Sequence, residues 1–182
     1  MAGGMTQFLI EGVDRLGKSS LIERIQQSEG FFFTYHFAKP KKLEYYSYAK
    51  DQLREYQYES FEEMFNLMQH KSIPIIFDRA HLGEAVYAKR YRGYDADYIF
   101  QLEYDYAMDV MKHTKLILLA TSDFGFIADD GDSFDFSKKE EEQADFIAAF
   151  NRSILPNKVM IDVHNGYGEF KTREEILKEA LQ

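Results

Sequence analysis

Eight residues near the start of the chain leave the rest little freedom: Gly12-Val13-Asp14-Arg15-Leu16-Gly17-Lys18-Ser19 fits the pattern G-x-x-x-x-G-K-[ST] at every fixed position. The apolar run Phe8-Leu9-Ile10 precedes it, and Leu21, Ile22 and Ile25 follow with helical spacing. In the order strand, glycine turn, helix, such a turn curls successive backbone N–H groups toward one anion. The helix opening near Gly17 adds its positive end. Lys18 then supplies a point charge to outer phosphates, and the Ser19 hydroxyl a ligand for Mg²⁺. Gly12, Val13, Asp14, Arg15, Leu16, Gly17, Lys18, Ser19 and Ser20 are therefore the candidate contacts to a phosphorylated cofactor.

The remainder alternates in the same sense. Strands are expected at 6–11, 31–37, 73–78, 115–121 and 158–162, each a short apolar or aromatic run. Helical spacing fills the intervals: 17–27, 43–58, a second helix opened by Ser60 with Glu63 as a capping box, 80–91, and 97–113 after Asp95 or Asp97. Ser137 with Glu140 and Thr172 with Glu175 offer two more capping boxes. Continuous apolar runs such as Ile73-Pro74-Ile75-Ile76-Phe77 suit strands buried on both faces of a parallel sheet. The expectation is an α/β three-layer sandwich with a five-stranded parallel sheet, one domain over 1–182, with a helical insertion at about 41–71 and a lid at about 124–139. The Phe61, Met64, Phe65 and Met68 stripe is core rather than a ligand box.

The chain has no cysteine, which excludes disulfides and thiolate metal sites. A net charge of −9 argues against a broad duplex nucleic-acid face, which needs clustered Lys and Arg. No apolar run is long enough for a membrane span, and the first four residues have no signal-peptide character; a cytoplasmic protein is expected.

Phe8-Leu9-Ile10-Glu11-Gly12-Val13-Asp14-Arg15-Leu16-Gly17-Lys18-Ser19 resembles the thymidylate kinase family, whose loop reads E-G-x-D-x-x-G-K-[ST]. Scattered motifs agree in order: Lys39-Pro40 after the second strand, Phe77-Asp78-Arg79 at the end of the third, and Tyr87 nine residues beyond Asp78. The tract 78–94 with Asp129-Asp130-Gly131 also resembles deoxynucleoside monophosphate kinases encoded by bacteriophages, which would place the protein in a host cytoplasm. The resemblance implies a P-loop fold of the nucleoside monophosphate kinase type. It implies a catalytic cation at Arg15, a contact from Asp14 to the acceptor sugar's 3′-hydroxyl, and packing of Tyr87 against a deoxyribose. Family members lacking the loop arginine carry one on the lid; here no arginine lies between Arg92 and Arg152, and the lid offers only Lys138 and Lys139, which also suit a plain helix start.

Chemistry gives the other candidates. Asp78, closing an apolar strand, suits Mg²⁺ held through water, with Asp123 as its rival. Arg79 can grip an acceptor phosphate with two parallel hydrogen bonds. Arg90, Arg92 and Tyr94 are further phosphate or base contacts, or surface residues. A nucleoside acceptor needs a base for its hydroxyl proton, and deoxynucleoside kinases carry a Glu shortly after the second strand; Lys39 stands there instead and attracts a phosphate. The expected reaction is ATP- and Mg²⁺-dependent phosphorylation of a deoxynucleoside monophosphate, with Arg15, Lys18 and Asp78 catalytic. The alternatives are a kinase acting on a nucleoside or on a base within DNA, and a nucleotide-binding regulatory protein without transfer activity. A guanine-reading Asn-Lys-x-Asp segment is absent. The tyrosine-rich helix at 97–112 could pair two copies into a homodimer, and burial within one copy explains it as well. Residues 43–71 carry many aromatics but only Arg54, so no residue there assigns the base.

Overall fold

The computed structural model describes residues 6–37, 50–110, 112–127 and 136–182. Five parallel strands form one sheet in the order β2-β3-β1-β4-β5: β1 Gln7–Glu11, β2 Phe33–His36, β3 Ile75–Asp78, β4 Thr114–Ala120 and β5 Lys158–Asp162. The strand that feeds the glycine loop, β1, lies between β3 and β4 and is buried along its whole length. The loop therefore leaves the sheet at the carboxyl ends of its inner strands, where open parallel sheets place their binding crevices.

Among the described residues six α-helices flank the sheet: α1 Lys18–Glu29, α2 Lys50–Met68, α3 His81–Tyr87, α4 Tyr98–Val110, α5 Lys139–Arg152 and α6 Arg173–Leu181. The pleat divides them. Phe8 stands in register with Ile76 and touches Phe32 on the side of α1, which packs on α6. Leu9 stands in register with Phe77 on the other side, beneath α2, α3, α4 and α5. This is the three-layer α/β arrangement expected from the strand runs. Leu21, Ile22 and Ile25 of α1 and Phe61, Met64, Phe65 and Met68 of α2 are buried, as their spacing required.

Three local expectations need correction. Ser60 opens no helix: α2 runs through it, and its hydroxyl donates to the Tyr56 carbonyl one turn back. Ser137 does not start α5 either: the helix starts from Lys138 after a 3-10 turn at Phe136–Lys138. A serine hydroxyl inside a helix can satisfy itself on the preceding turn, so S-x-x-E marks a start only where the chain before it is not already helical. The expected helix over 80–91 splits into α3 and a π-helical turn, Ala88–Arg92, closed by Gly93 in the left-handed region at φ 72°. The Thr172 box is formed with both of its bonds: Glu175 N–H donates to the hydroxyl, and Thr172 N–H donates to the Glu175 carboxylate.

Candidate active site

The glycine loop is held against the sheet. A Cβ added at Gly12 would lie 2.3 Å from the Leu119 carbonyl oxygen of β4, so only glycine lets the backbone turn there. Lys18 folds back under the loop, and its ammonium donates to the carbonyls of Gly12 and Val13, both at 2.8 Å. Burial pushes this ammonium down to about 8, against the opposing pull of Asp14; Asp78 and Glu11 also favour its charge, while Arg79 disfavours it. Ser19 and Arg15 lie exposed on the outer side of the loop, and Arg15 takes a left-handed φ of 76°.

Asp14 connects this loop to the end of β3. Its Oδ1 accepts from Arg79 Nη2 at 2.9 Å and lies 3.8 Å from the Lys18 ammonium; its Oδ2 lies 4.0 Å from Lys139 Nζ. Arg79 is itself left-handed, at φ 66°. Its position is fixed from below by Glu11, the last residue of β1. The Glu11 carboxylate accepts from the N–H groups of Ala80 and Gly83 at 3.0 and 3.1 Å, capping the start of α3. Burial pushes that carboxyl above its usual range. The Tyr87 phenol, one turn further along α3, is pushed well up by burial and by Asp14 and Glu142. Asp14, Lys18, Arg79 and Tyr87 thus stand close together.

Asp78 is the in-register partner of His36 across β2 and β3, and the two side chains meet at 2.8 Å. Strand pairing between residues so distant in sequence gave no signal in a linear reading. Asp123, the rival carboxylate, instead holds a turn by accepting from Gly125 N–H at 2.7 Å. Lys39 lies outside the described residues. So do Asp129, Asp130 and Gly131 of the lid tract. The remaining three candidates are engaged with carboxylates of the chain itself. Arg90 pairs with Asp145 at 2.5 Å and with Glu141. Arg92 is buried against Glu84, which also accepts from the phenols of Tyr94 and Tyr98 at 2.7 and 2.9 Å.

A cavity of about 430 Å³ opens beside Arg15 and Gly17, between the start of α1 and residues 170–176 at the start of α6. It lies on the outer side of the loop, whereas Asp14 and Arg79 lie on the β3 side. Ser19 and Asp78 are oxygen donors near the loop. Such a pair suits a hard cation that keeps most of its waters. Among the described residues no helix is long and apolar enough to cross a membrane.

No family model matches the chain, and no curated protein matches it in sequence. Solved structures do match its shape. YorR protein from Bacillus subtilis, in complex with phosphorylated GDP, superposes with a TM-score of 0.65 at 16% identity, covering 95% of this chain and 92% of that one. A thymidylate kinase from Candida albicans gives 0.57 at 16% identity, covering 96% and 88%. Together with the strand order and the glycine loop, these likenesses show a P-loop fold of the nucleotide-kinase type.

Proposed function

We propose that the protein transfers the γ-phosphoryl group of ATP to a deoxynucleoside monophosphate. The observation that carries this reading is the Asp14–Arg79 ion pair at 2.9 Å. It joins the phosphate loop to the end of the neighbouring strand, so that two binding sites share one arc of backbone. ATP lies along residues 12–20 with its nucleoside end toward the cavity beside Arg15. The acceptor lies on the other side, where Arg79 and, from the sequence, Lys39 take its phosphate, Asp14 its 3′-hydroxyl, and Tyr87 its sugar ring. Mg²⁺ held by Ser19 and Asp78 would neutralise charge on the outer phosphates.

In the transfer, an ionised acceptor phosphate oxygen forms a bond to the γ-phosphorus as the bridging bond to ADP breaks. No proton has to leave the nucleophile, so no general base is required. The protein's task is placement and charge neutralisation, from Lys18 beneath the loop and Arg15 above it. Arg90, Arg92 and Tyr94 can serve the acceptor only by leaving the carboxylates that hold them.

The test is ADP release, in a coupled assay, across the common ribo- and deoxyribonucleoside monophosphates. Turnover should depend on an added deoxynucleotide. Slow ATP hydrolysis indifferent to every monophosphate would leave the regulatory-protein reading in its place. Turnover with nucleosides or DNA alone would leave one of the other two.

A further inference from the structure

Lys139 is the first residue of α5 and a buried cation. Its side chain is 6% exposed, yet it sits at the positive end of a helix, where a second positive charge is disfavoured. Lysine normally keeps its ammonium in water. This one donates to Glu142 at 3.3 Å, and Glu142, itself buried, also accepts from the Tyr91 phenol. The pair is one helical turn apart, a spacing common on exposed helix faces, but here both ends are inside the protein. Among the described residues Lys139 makes a single hydrogen bond, although an ammonium carries three donors.

Its other neighbour is Asp14, 4.0 Å away, beyond hydrogen-bond reach. Arg79 and Lys18 approach one oxygen of that carboxylate, and Lys139 approaches the other. Three cations thus converge on a single negative charge from three separate elements: α1, the end of β3, and α5. Glu142 pairs with Lys139, and Asp78 and Glu11 also act on Lys18, so the cations are not in excess; two of the three Lys139 N–H donors are nonetheless left for a group entering beside Asp14. Lys138, its neighbour in sequence, is exposed.

We propose that Lys139 is an acceptor-binding residue: its ammonium contacts the phosphate of the incoming monophosphate from the α5 side, opposite Arg79, with Glu142 and Tyr91 positioning it. The inference rests on the monophosphate reading above and deepens it. The acceptor is selected by an anion bound between two cations on different elements, so the parent nucleoside lacks what the site recognises.

The experiment compares Lys139→Gln and Lys139→Arg with the wild type, using the monophosphate that the substrate panel selects, its parent nucleoside, and ATP. Lys139→Gln keeps a polar partner for Glu142 but removes the charge. It should raise the KM of the monophosphate about 10- to 100-fold, the scale of one charge-assisted contact. The Kd for ATP and the weak affinity for the nucleoside should each stay within about twofold, and Lys139→Arg should recover part of the loss. An unchanged monophosphate KM, or an equal loss for nucleotide and nucleoside, overturns the proposal while leaving the kinase reading intact. If the wild type ignores every monophosphate, the kinase reading itself fails. If Lys139→Gln does not fold, the wild-type Lys139 side-chain nitrogen resonance, assigned through Lys139→Arg, decides. It must move on titration with the monophosphate and stay still with the nucleoside; the reverse overturns the proposal.

Discussion

Two acid-centred clusters differ in their partners: one surrounds Glu84 in α3, the other Asp14 of the glycine loop. Around Glu84, a carboxylate 1% exposed, one guanidinium and two neutral phenols donate: Arg92, Tyr94 and Tyr98. Charge matches charge, and the remaining oxygen capacity is filled by groups that carry none. Around Asp14, 18% exposed, stand three cations, Lys18, Arg79 and Lys139. The first cluster is complete as it stands and holds the π-helical turn onto the domain. In the second, Glu142 pairs with Lys139, Asp78 and Glu11 act on Lys18, and the central carboxylate is the more exposed of the two. Several cations gathered around a partly exposed carboxylate suit a place that receives an anion, whereas a buried and fully bonded carboxylate suits a structural joint.

The largest effect should come from the open cluster and its loop. Arg15 is exposed at φ 76°, a conformation that costs a non-glycine residue about 1 kcal/mol or more. Arg15→Gly relieves that conformation while removing the cation, so it separates fold from function. Turnover should fall by about 10²- to 10³-fold, the scale of one lost charge-stabilising donor, with melting temperature unchanged or raised. ATP affinity should change little. Steady-state kinetics beside a thermal melt checks this, and near-normal turnover would remove Arg15 from the transfer step.

The closed cluster should respond in the opposite way. Arg92→Met leaves the Glu84 carboxylate buried beside two phenols, and removing one partner of a buried pair costs about 3–5 kcal/mol. Urea unfolding should show that loss, while the folded fraction keeps kcat and KM within about threefold. A selective loss of acceptor affinity without a stability change would instead return Arg92 to the substrate site, and the contrast between the clusters would fail.

This division was only half visible in the sequence. The sheet was legible because buried parallel strands are continuous apolar runs, and Ile75-Ile76-Phe77 or Leu116 to Leu119 admit few other readings. The loop was legible because Gly12 and Gly17 stand at fixed spacing before Lys18. Asp14, Arg79 and Tyr87 could be grouped by resemblance, and they stand close together in the fold. Arg92 and Tyr94 look the same in a linear reading whether they face a ligand or Glu84, since side-chain direction in a π-helical turn follows no simple period. Lys139 was one of two adjacent lysines, and only the start of α5 decides which of them turns inward. His36 pairs with Asp78 through strand register, and no local pattern carries that information.

A smaller, graded effect follows from Lys18. In the unfolded chain its ammonium titrates at the ordinary lysine value of 10.5; in the folded protein burial brings it to about 8. Between those values the folded state holds fewer protons than the unfolded one, so stability rises as pH increases through that window. Nucleotide binding has the reverse sign. Phosphates bind the charged form, so the Kd for ATP should weaken above pH 8, approaching about tenfold per pH unit. Calorimetric titration from pH 7 to 9.5 checks the slope, with Lys18→Arg, which keeps its charge, as the flat control. A flat wild-type profile would mean that the ammonium is not titrating in the empty loop.

The smallest effect is the sharpest comparison, because one substitution can be made in both clusters. Tyr98→Phe removes a neutral donor from Glu84 at 2.9 Å and leaves a buried carboxylate oxygen short of one partner. The cost should be about 1–3 kcal/mol in urea unfolding, with no kinetic change. The Tyr87 hydroxyl makes no hydrogen bond among the described residues, and its ring rests on Tyr91 and Phe146. Tyr87→Phe keeps that ring, so stability should stay within about 0.5 kcal/mol. Preference for deoxyribose should also survive, because it rests on the ring's bulk rather than on the hydroxyl; Tyr87→Ala should relax it. If Tyr87→Phe destabilises as much as Tyr98→Phe, the cluster around Asp14 is as saturated as the one around Glu84, and its cations are not available to a ligand.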